Sequence, residues 1–388
     1  MKILIVGSDT NSILFAQYVK AQHPEHDLYL SSEDVRENSA YTAINIREND
    51  IAGIIDFVKY NAIEFTVVFS TIAIVNGIAD VFRKEEFPIF APLSESAKIT
   101  FFSSIAKKIM YKLKINTPRF GIFDRESVAL EYARSAKFPI AILNDFILSK
   151  KEYQICNSFQ KAKLQIQKMF EDDNEKIIIE NYMESDPIYI YFITDGYNVL
   201  PFIALDRNFQ ENYTSTSAPS KKITDDIIIS ILQNVIYPLI DDIAKFSGNY
   251  TGVMGIKIKL ENNSFYVLDF YNGFKGNDFQ TILSIFNEDI LDVMYSAANG
   301  ALCDKYHYLN FKNLYSYTIE TDEKNIDYDK YEEDDFTESI HNGKHVFTSL
   351  GRTLNSAKTK LLEYLQGFVE EDLYKEIEKS ELKEDTVH

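Results

Sequence analysis

The sequence predicts an α/β fold that continues into α+β modules, and its first 95 residues indicate this most clearly. Residues 3–6 are a fully apolar run closed by Gly7. An amphipathic stretch at 11–21 follows at once, which is the order of a buried parallel strand and its crossover helix. The same alternation continues to residue 90. The chain has 388 residues, 45% of them hydrophobic, which is enough for two or three domains with buried cores.

Residues 1–95 are predicted to form a doubly wound domain. Helical periodicity covers 50–60 and 74–83, while 65–69 and 88–90 have the pattern of buried strands. Helices and strands therefore alternate, as they do in a parallel sheet that is covered on both faces.

Residues 96–307 are predicted to be a central domain. A helical pattern at 96–114 ends before Pro118, because proline disfavours a helical conformation in the residue before it. A compact α+β module follows. It consists of a predicted helix at 127–136, a strand at 139–143, a helix at 158–170 and a strand at 176–182.

The second half of this domain begins with a predicted hairpin. A strand at 188–194 and its partner at 198–204 are joined by the turn Asp195-Gly196. Thr224 is a predicted N-cap for a long apolar helix that Gly248 closes.

Residues 308–388 are predicted to be a mixed C-terminal domain with a charged tail. The acidic run at 322–338 is predicted to be an exposed loop. The other predicted elements are strands at 315–319 and 345–347, a helix at 354–368 and a frayed helix at 370–388.

Charge and composition exclude several kinds of partner. The formal net charge is −19, which repels polyanions, so we expect neither nucleic acid nor a membrane as a partner. Cys156 and Cys303 stand in no CxxC pair, which argues against a disulfide framework or a zinc knuckle. The histidines show no metal-site spacing with acids on a predicted helix face. No signal segment is evident and no apolar run approaches the roughly 20 residues of a membrane span, so we expect a cytoplasmic protein.

A resemblance to one family rests on stretches spread over nearly the whole chain. They are 54–90, 114–118, 177–183, 195–196, 199–201, 250–252 and 343–351. Their order resembles the phosphoribosylamine-glycine ligase family, also called glycinamide ribonucleotide synthetase, of the ATP-grasp superfamily. The resemblance implies an ATP-grasp fold with an N-terminal doubly wound domain, a small mobile lobe at about 119–192 and a C-terminal mixed domain. It also implies ATP-dependent ligation of a carboxylate to an amine in purine biosynthesis, in which Mg²⁺ and cationic side chains stabilise developing charge.

The metal site that the resemblance implies is only partly present. The family has a glutamate and, two residues later, an asparagine on one face of a strand, and these positions are Asp269 and Tyr271 here. Asn272 points to the opposite face. A neutral phenol is a poor ligand for Mg²⁺, which prefers harder oxygen ligands. An arginine of the family aligns with Gly273. Asp269 is therefore the metal candidate, and the substitutions argue against ATP and Mg²⁺ as cofactors.

The nucleotide positions differ as well. One lysine of the family aligns with Ser103, with Lys107 one helical turn further on, and a second aligns with Leu143. The glycine-rich phosphate loop of the family corresponds to 146–152, which contains no glycine but keeps Lys151.

The remaining candidates follow from the same resemblance. Glu180 corresponds to the hinge, where backbone atoms contact adenine, and Asp186 is adjacent to the position of the ribose ligand. Asp206 and Arg207 precede the substrate loop, which is shortened to 210–220. The cofactor-binding candidates are Lys107, Lys151, Glu180 and Asp186, and the substrate-binding candidates are Asp206 and Arg207. No residue is assigned as catalytic.

Three functions remain open from the sequence. The leading hypothesis is a protein that keeps the ligase fold, has lost the ligase activity, and now has a small-molecule-binding or regulatory role. The alternative is an active ATP-dependent carboxylate-amine ligase that uses Asp269 with Asp278 for metal and Lys107, Lys150 or Lys151 for phosphate. A third is an interaction module for a protein partner in purine metabolism, bound through the acidic surface.

Overall fold

The structure is a computed structural model that describes residues 1–31, 39–146, 153–172, 175–262, 264–322, 336–341, 344–366 and 369–381. The described strands belong to three sheets.

The first sheet is parallel, with strand order β3-β2-β1-β4-β5. The apolar run 3–6 lies in β1, the central strand, and is fully buried. The predicted helix at 74–83 is two helices, because Gly77 between them has a φ of +80°, a left-handed conformation that a helix cannot continue through. The sequence did not predict β2 or β3. The elements are β1 (Lys2–Val6), α1 (Thr10–Gln22), β2 (Asp27–Ser31), β3 (Thr42–Ile44), α2 (Ile51–Asn61), β4 (Phe65–Val68), α3 (Thr71–Val75), α4 (Ile78–Lys84) and β5 (Ile89–Phe90).

The second sheet forms a small lobe of four antiparallel strands, in the order β6-β9-β7-β8, with α7 and α8 packed on it. The predicted helix at 96–114 is broken at Phe102, which is extended and stacks on Phe146 with ring centroids 4.8 Å apart. The elements are α5 (Ser94–Phe101), α6 (Ser103–Lys112), β6 (Phe120–Phe123), α7 (Glu126–Ser135), β7 (Ile140–Asn144), β8 (Tyr153–Cys156), α8 (Phe159–Glu171) and β9 (Ile177–Asn181).

The third sheet is large, with the order β15-β14-β10-β12-β13-β16-β18-β17, and β11 pairs with β10. Its elements are β10 (Ile188–Asp195), β11 (Val199–Pro201), β12 (Leu205–Phe209), β13 (Tyr213–Ala218), α9 (Asp225–Ile231), a π-helical turn (Leu232–Ile236), α10 (Tyr237–Phe246), β14 (Thr251–Glu261), β15 (Ser264–Asn272), α11 (Asp278–Ile285), α12 (Ile290–Ala298), α13 (Leu302–Lys305), β16 (Tyr315–Thr321), β17 (Phe336–His341), β18 (Lys344–Gly351), α14 (Leu354–Leu365) and α15 (Glu371–Glu381).

One prediction about a loop is corrected by this sheet, and a second is corrected only in its last residues. The segment 210–220, predicted to be a shortened loop, contains β13, which pairs with both β12 and β16. The acidic run 322–338 ends in β17, and its part at 323–335 lies outside the described residues. Strands from both sides of residue 308 share this sheet, and the domain boundary there stays a prediction.

The helical run Asp225–Phe246 corrects another expectation. It has 22 residues, and an 18-residue window within it has a mean hydropathy of 1.5, so by length and composition it is the one run among the described residues that could cross a membrane. Its buried side chains, including Val235, Leu239 and Ile243, belong to the core that also contains Met254 of β14. A core helix passes the same test, so this run is weak evidence for a membrane.

Candidate functional site

A cavity of about 310 Å³ lies between the small lobe and the large sheet. Strands β7, β8 and β9 provide one wall, strands β10, β12, β14 and β15 provide the other, and the segment after β15 adds a lysine. We call this cavity the cleft. Its lining residues are Leu143, Tyr153, Glu180, Tyr189, Arg207, Lys257, Leu268, Asp269, Tyr271 and Lys275.

Arg207 on the cleft wall is held by a buried acid. Its guanidinium donates hydrogen bonds to Asp278, which is fully buried at the start of α11, and to the Lys275 carbonyl at 2.8 Å. The Tyr191 hydroxyl donates to the same carboxylate at 2.5 Å. Burial raises the pKa of Asp278, although Arg207 opposes this shift. Asp278 is therefore the buried counter-ion that holds Arg207 in place, and it is not among the cleft-lining residues.

Glu180 forms a second buried pair with Lys107. The Lys107 Nζ lies 2.6 Å from Glu180 Oε2, and the two side chains are 2% and 3% exposed. Lys107 also donates to the Thr117 hydroxyl at 2.9 Å, and its Nζ lies 5.7 Å from the centre of the Phe120 ring. Each charge has the other as its counter-ion. Of the two residues, Glu180 lines the cleft and Lys107 does not.

Asp269 and Tyr271 lie on β15 and both line the cleft. Asp269 Oδ1 accepts a hydrogen bond from the Phe270 N–H at 3.0 Å. Burial, reinforced by the charge of Asp269 and by Tyr189, raises the pKa of Tyr271 well above its usual range. The Tyr271 side chain is therefore a neutral phenol beside a carboxylate.

Two lysines complete the wall. Lys257 lies opposite Asp269 in the β14–β15 register, and its Nζ is 5.5 Å from the Tyr153 ring centre and 5.9 Å from that of Tyr189. The Lys275 Nζ lies 4.8 Å from the centre of the Tyr271 ring. Cations over aromatic faces are attracted by the ring quadrupole. The cleft wall thus carries three cations and two carboxylates in a chain whose net charge is −19.

Besides Lys107, two of the described sequence candidates do not line the cleft. Asp186 is 66% exposed and lies 3.7 Å from the ammonium of Lys222. Asp206 accepts a hydrogen bond from the Ser220 hydroxyl at 2.9 Å on the far side of β12. Lys151 lies outside the described residues.

A second cavity of about 230 Å³ lies at the carboxyl ends of β1, β4 and β5. Ligands of open α/β sheets bind at this edge. Asp9, Asn11 and Asn272 line it, and Lys275 lines both cavities, which makes them neighbours. Asn272 thus faces the second cavity while Tyr271 faces the cleft, as strand alternation predicts.

Comparison with known families identifies this arrangement. Residues 1–100 match the family model of the phosphoribosylglycinamide synthetase N domain, and residues 103–278 match the ATP-grasp (A) domain of the same synthetase. The chain belongs to the phosphoribosylglycinamide synthetase family.

Curated relatives agree with this membership. A phosphoribosylamine-glycine ligase of Clostridium acetobutylicum is 23% identical over 318 residues, covering 78% of this chain and 76% of the relative. The phosphoribosylamine-glycine ligase of Vibrio parahaemolyticus is 25% identical over 324 residues, covering 78% of this chain and 74% of the relative. This chain is a phosphoribosylamine-glycine ligase-like ATP-grasp protein.

Solved structures show the same fold. The phosphoribosylamine-glycine ligase of Thermotoga maritima superposes with a TM-score of 0.70 at 15% identity, covering 96% of this chain and 98% of that one. A biotin carboxylase from Campylobacter jejuni, in a complex described as β-γ-ATP, superposes with a TM-score of 0.72 at 13% identity, covering 95% and 91%. The predicted ATP-grasp fold of this synthetase family is confirmed.

The structure adds cleft residues that the sequence did not single out. Lys257 could have been found, because the alternation of β14 separates the lysines from the apolar face. Tyr153, Tyr189 and Lys275 gave no such signal, since each reaches the cleft only through the packing of lobe against sheet.

Proposed function

We propose that this phosphoribosylamine-glycine ligase-like protein binds a small anionic ligand in its cleft, does not catalyse ligation, and acts as a binding or regulatory protein of purine metabolism in the cytoplasm. One observation supports this most directly: Tyr271, a buried neutral phenol, stands where the family resemblance places the second metal ligand.

Among the described cleft residues, Asp269 is present but Tyr271 replaces the second protein ligand that the family resemblance implies for Mg²⁺. Magnesium requires several hard oxygen ligands, commonly one or two carboxylates together with phosphate and water. Asp269 supplies one carboxylate, while Glu180 is paired with Lys107 and Asp278 is paired with Arg207. Recruiting either acid would leave a cation buried without its partner, which is costly.

The same wall is suited to an anion with a planar group. Arg207, Lys257 and Lys275 can meet negatively charged oxygens, and the tyrosine rings offer apolar faces for a planar ring. The volume of about 310 Å³ is at the small end of ligand pockets. The ligand class that this supports is a small phosphate or carboxylate anion of the nucleotide type.

Calorimetric titration tests the proposal. ATP and ADP are titrated into the full chain in EDTA and again in Mg²⁺, with Asp269→Asn as the matched variant. We expect no gain in affinity from Mg²⁺ and no loss in the variant, because no metal links Asp269 to the phosphates. Tight binding only with Mg²⁺, lost in Asp269→Asn, would overturn the proposal.

A second function has one observation in its favour. Asp269 lines the cleft together with three cations that could meet phosphates, as an active ATP-dependent carboxylate-amine ligase requires. Release of ADP from MgATP with glycine and phosphoribosylamine tests it. Turnover that Asp269→Asn abolishes would support the ligase, whereas no turnover above a no-protein control would support the binding role.

A further inference from the structure

The turn after α1 brings two histidines and a glutamate together, which the sequence spacing did not reveal. His23 ends α1, and Glu25 and His26 follow before β2. One potential ligand atom from each lies within 4.8 Å of the others. His23 Nδ1 is 3.5 Å and His26 Nδ1 is 3.3 Å from the same oxygen, Glu25 Oε1.

The two nitrogen–oxygen separations match those of ligands around a tetrahedral ion. Zinc lies roughly 2.0–2.1 Å from nitrogen and oxygen ligands, so two ligands of a tetrahedral site lie about 3.3–3.4 Å apart. The His23 and His26 rings are stacked, with centroids 5.0 Å apart and planes 10° apart, so one ring must rotate to bring both nitrogens to a single ion.

The turn itself is held in place by its own hydrogen bonds. The His26 N–H donates to the His23 carbonyl at 3.1 Å. The Lys20 ammonium donates to the carbonyls of Pro24 and His26 at 2.8 and 2.7 Å. The backbone that carries the ligands is therefore preorganised, which lowers the entropic cost of binding.

Asp289 supplies an independent indication of a metal site. His23 Nε2 lies 2.8 Å from Asp289 Oδ2, while Asp289 Oδ1 caps α12 by accepting from the Leu291 and Asp292 N–H groups at 3.0 and 3.3 Å. Histidine ligands of metals usually donate their second ring N–H to a carboxylate of this kind, which leaves the other nitrogen to face the ion. Asp289 thus directs His23 Nδ1 toward Glu25.

We propose that His23, Glu25 and His26 bind a divalent transition metal ion of the zinc class, with Asp289 as a positioning residue. The ion would tie the turn after α1, in the first domain, to the N-terminus of α12, because His23 belongs to the turn and contacts the N-cap Asp289. The amine of Met1 lies 3.1 Å from His26 Nδ1, a contact that a bound ion would replace. This site is separate from the cleft and does not depend on the function proposed there.

Titration calorimetry of the full chain, purified without added histidines and freed of metal, tests the site with ZnCl₂ and with MgCl₂. We expect one Zn²⁺ per chain, no Mg²⁺ binding, and at least a tenfold loss of Zn²⁺ affinity in His26→Gln and in Glu25→Gln. His307→Gln, an exposed histidine outside the cluster, is the matched control and should bind as the parent does. No Zn²⁺ binding, or unchanged binding in both cluster variants, would overturn the site.

Two further measurements separate the roles of the residues. Asp289→Asn keeps an oxygen that can cap α12, and we expect its Zn²⁺ affinity to fall about 10- to 100-fold. An unchanged affinity would show that Asp289 is only a helix cap. X-ray absorption of the zinc-loaded protein should show nitrogen and oxygen ligands alone, and zinc-sulfur scattering would reassign the ion to a cysteine.

Discussion

Lys107 and Glu180 show how one contact decides whether a charged residue is available to a ligand. Their positions in the sequence suggest two separate nucleotide contacts. In the structure they are buried together, and their charges balance each other. The sequence could not reveal this, because the contact joins α6 to β9 through the tertiary packing of the lobe.

This pair predicts a large effect on stability. Lys107→Met leaves the Glu180 carboxylate buried without a counter-ion, so we expect the free energy of unfolding to fall by about 3–5 kcal/mol. The double variant Lys107→Met/Glu180→Gln removes both charges and should be more stable than the single variant. Urea denaturation of the four proteins in a double-mutant cycle measures the coupling. Equal destabilisation by the single and double variants would contradict the pairing.

Tyr189 predicts how stability changes at alkaline pH. Burial raises the pKa of Tyr189 to about 12, while a tyrosine in the unfolded chain ionises near 10. Between these values the unfolded state releases a proton that the folded state keeps, so stability falls as pH rises above about 10. We expect thermal unfolding of Tyr189→Phe to depend less steeply on pH between 10 and 12 than that of the parent. Identical slopes would show that Tyr189 ionises normally in the fold.

At the scale of elements, the sequence succeeded where one local signal dominates. Apolar runs located β1 and β4, and Thr224 located the start of the long helix. It failed where the decisive partner is distant. The serine- and threonine-rich β13 has no apolar pattern and is a strand because it pairs on both sides, with β12 and β16.

The break between α5 and α6 likewise depends on a distant residue, whose contribution to stability can be measured. Asp145, which follows β7, accepts hydrogen bonds from the Ser104 N–H at 2.6 Å and from the Ser104 hydroxyl at 2.8 Å. It thereby provides an acceptor for an N–H group in the first turn of α6, which has no partner within the helix. Asp145→Ala should lower the free energy of unfolding by about 1–2 kcal/mol, whereas Asp145→Asn, which keeps an acceptor, should cost less. Chemical denaturation compares the two. Equal losses would mean that charge, and not the acceptor, stabilises the break.

At the scale of the whole molecule, the fold was predictable and the site only in part. The order of helices and strands along the chain, together with the family resemblance, predicted the architecture, because hydrophobic periodicity and turn residues are local properties of the sequence. The cleft is assembled from two sheets, so its composition depends on how lobe and sheet meet. Glu180, Arg207 and Asp269 were predicted and do line it, while Asp206 and Asp186 lie elsewhere.

The contrast between the molecule's charge and that of the cleft yields the last prediction. A net charge of −19 repels an anion at long range, so affinity for ADP must come from cations close to it. Lys275 lines both cavities and should donate a charge-assisted hydrogen bond worth about 1.5–3 kcal/mol. We expect Lys275→Met to weaken metal-free ADP binding about tenfold or more by calorimetry. Lys222→Met, which removes an equal charge outside both cavities, should change affinity little. If the two variants weakened binding equally, the general field and not the cleft would bind the anion.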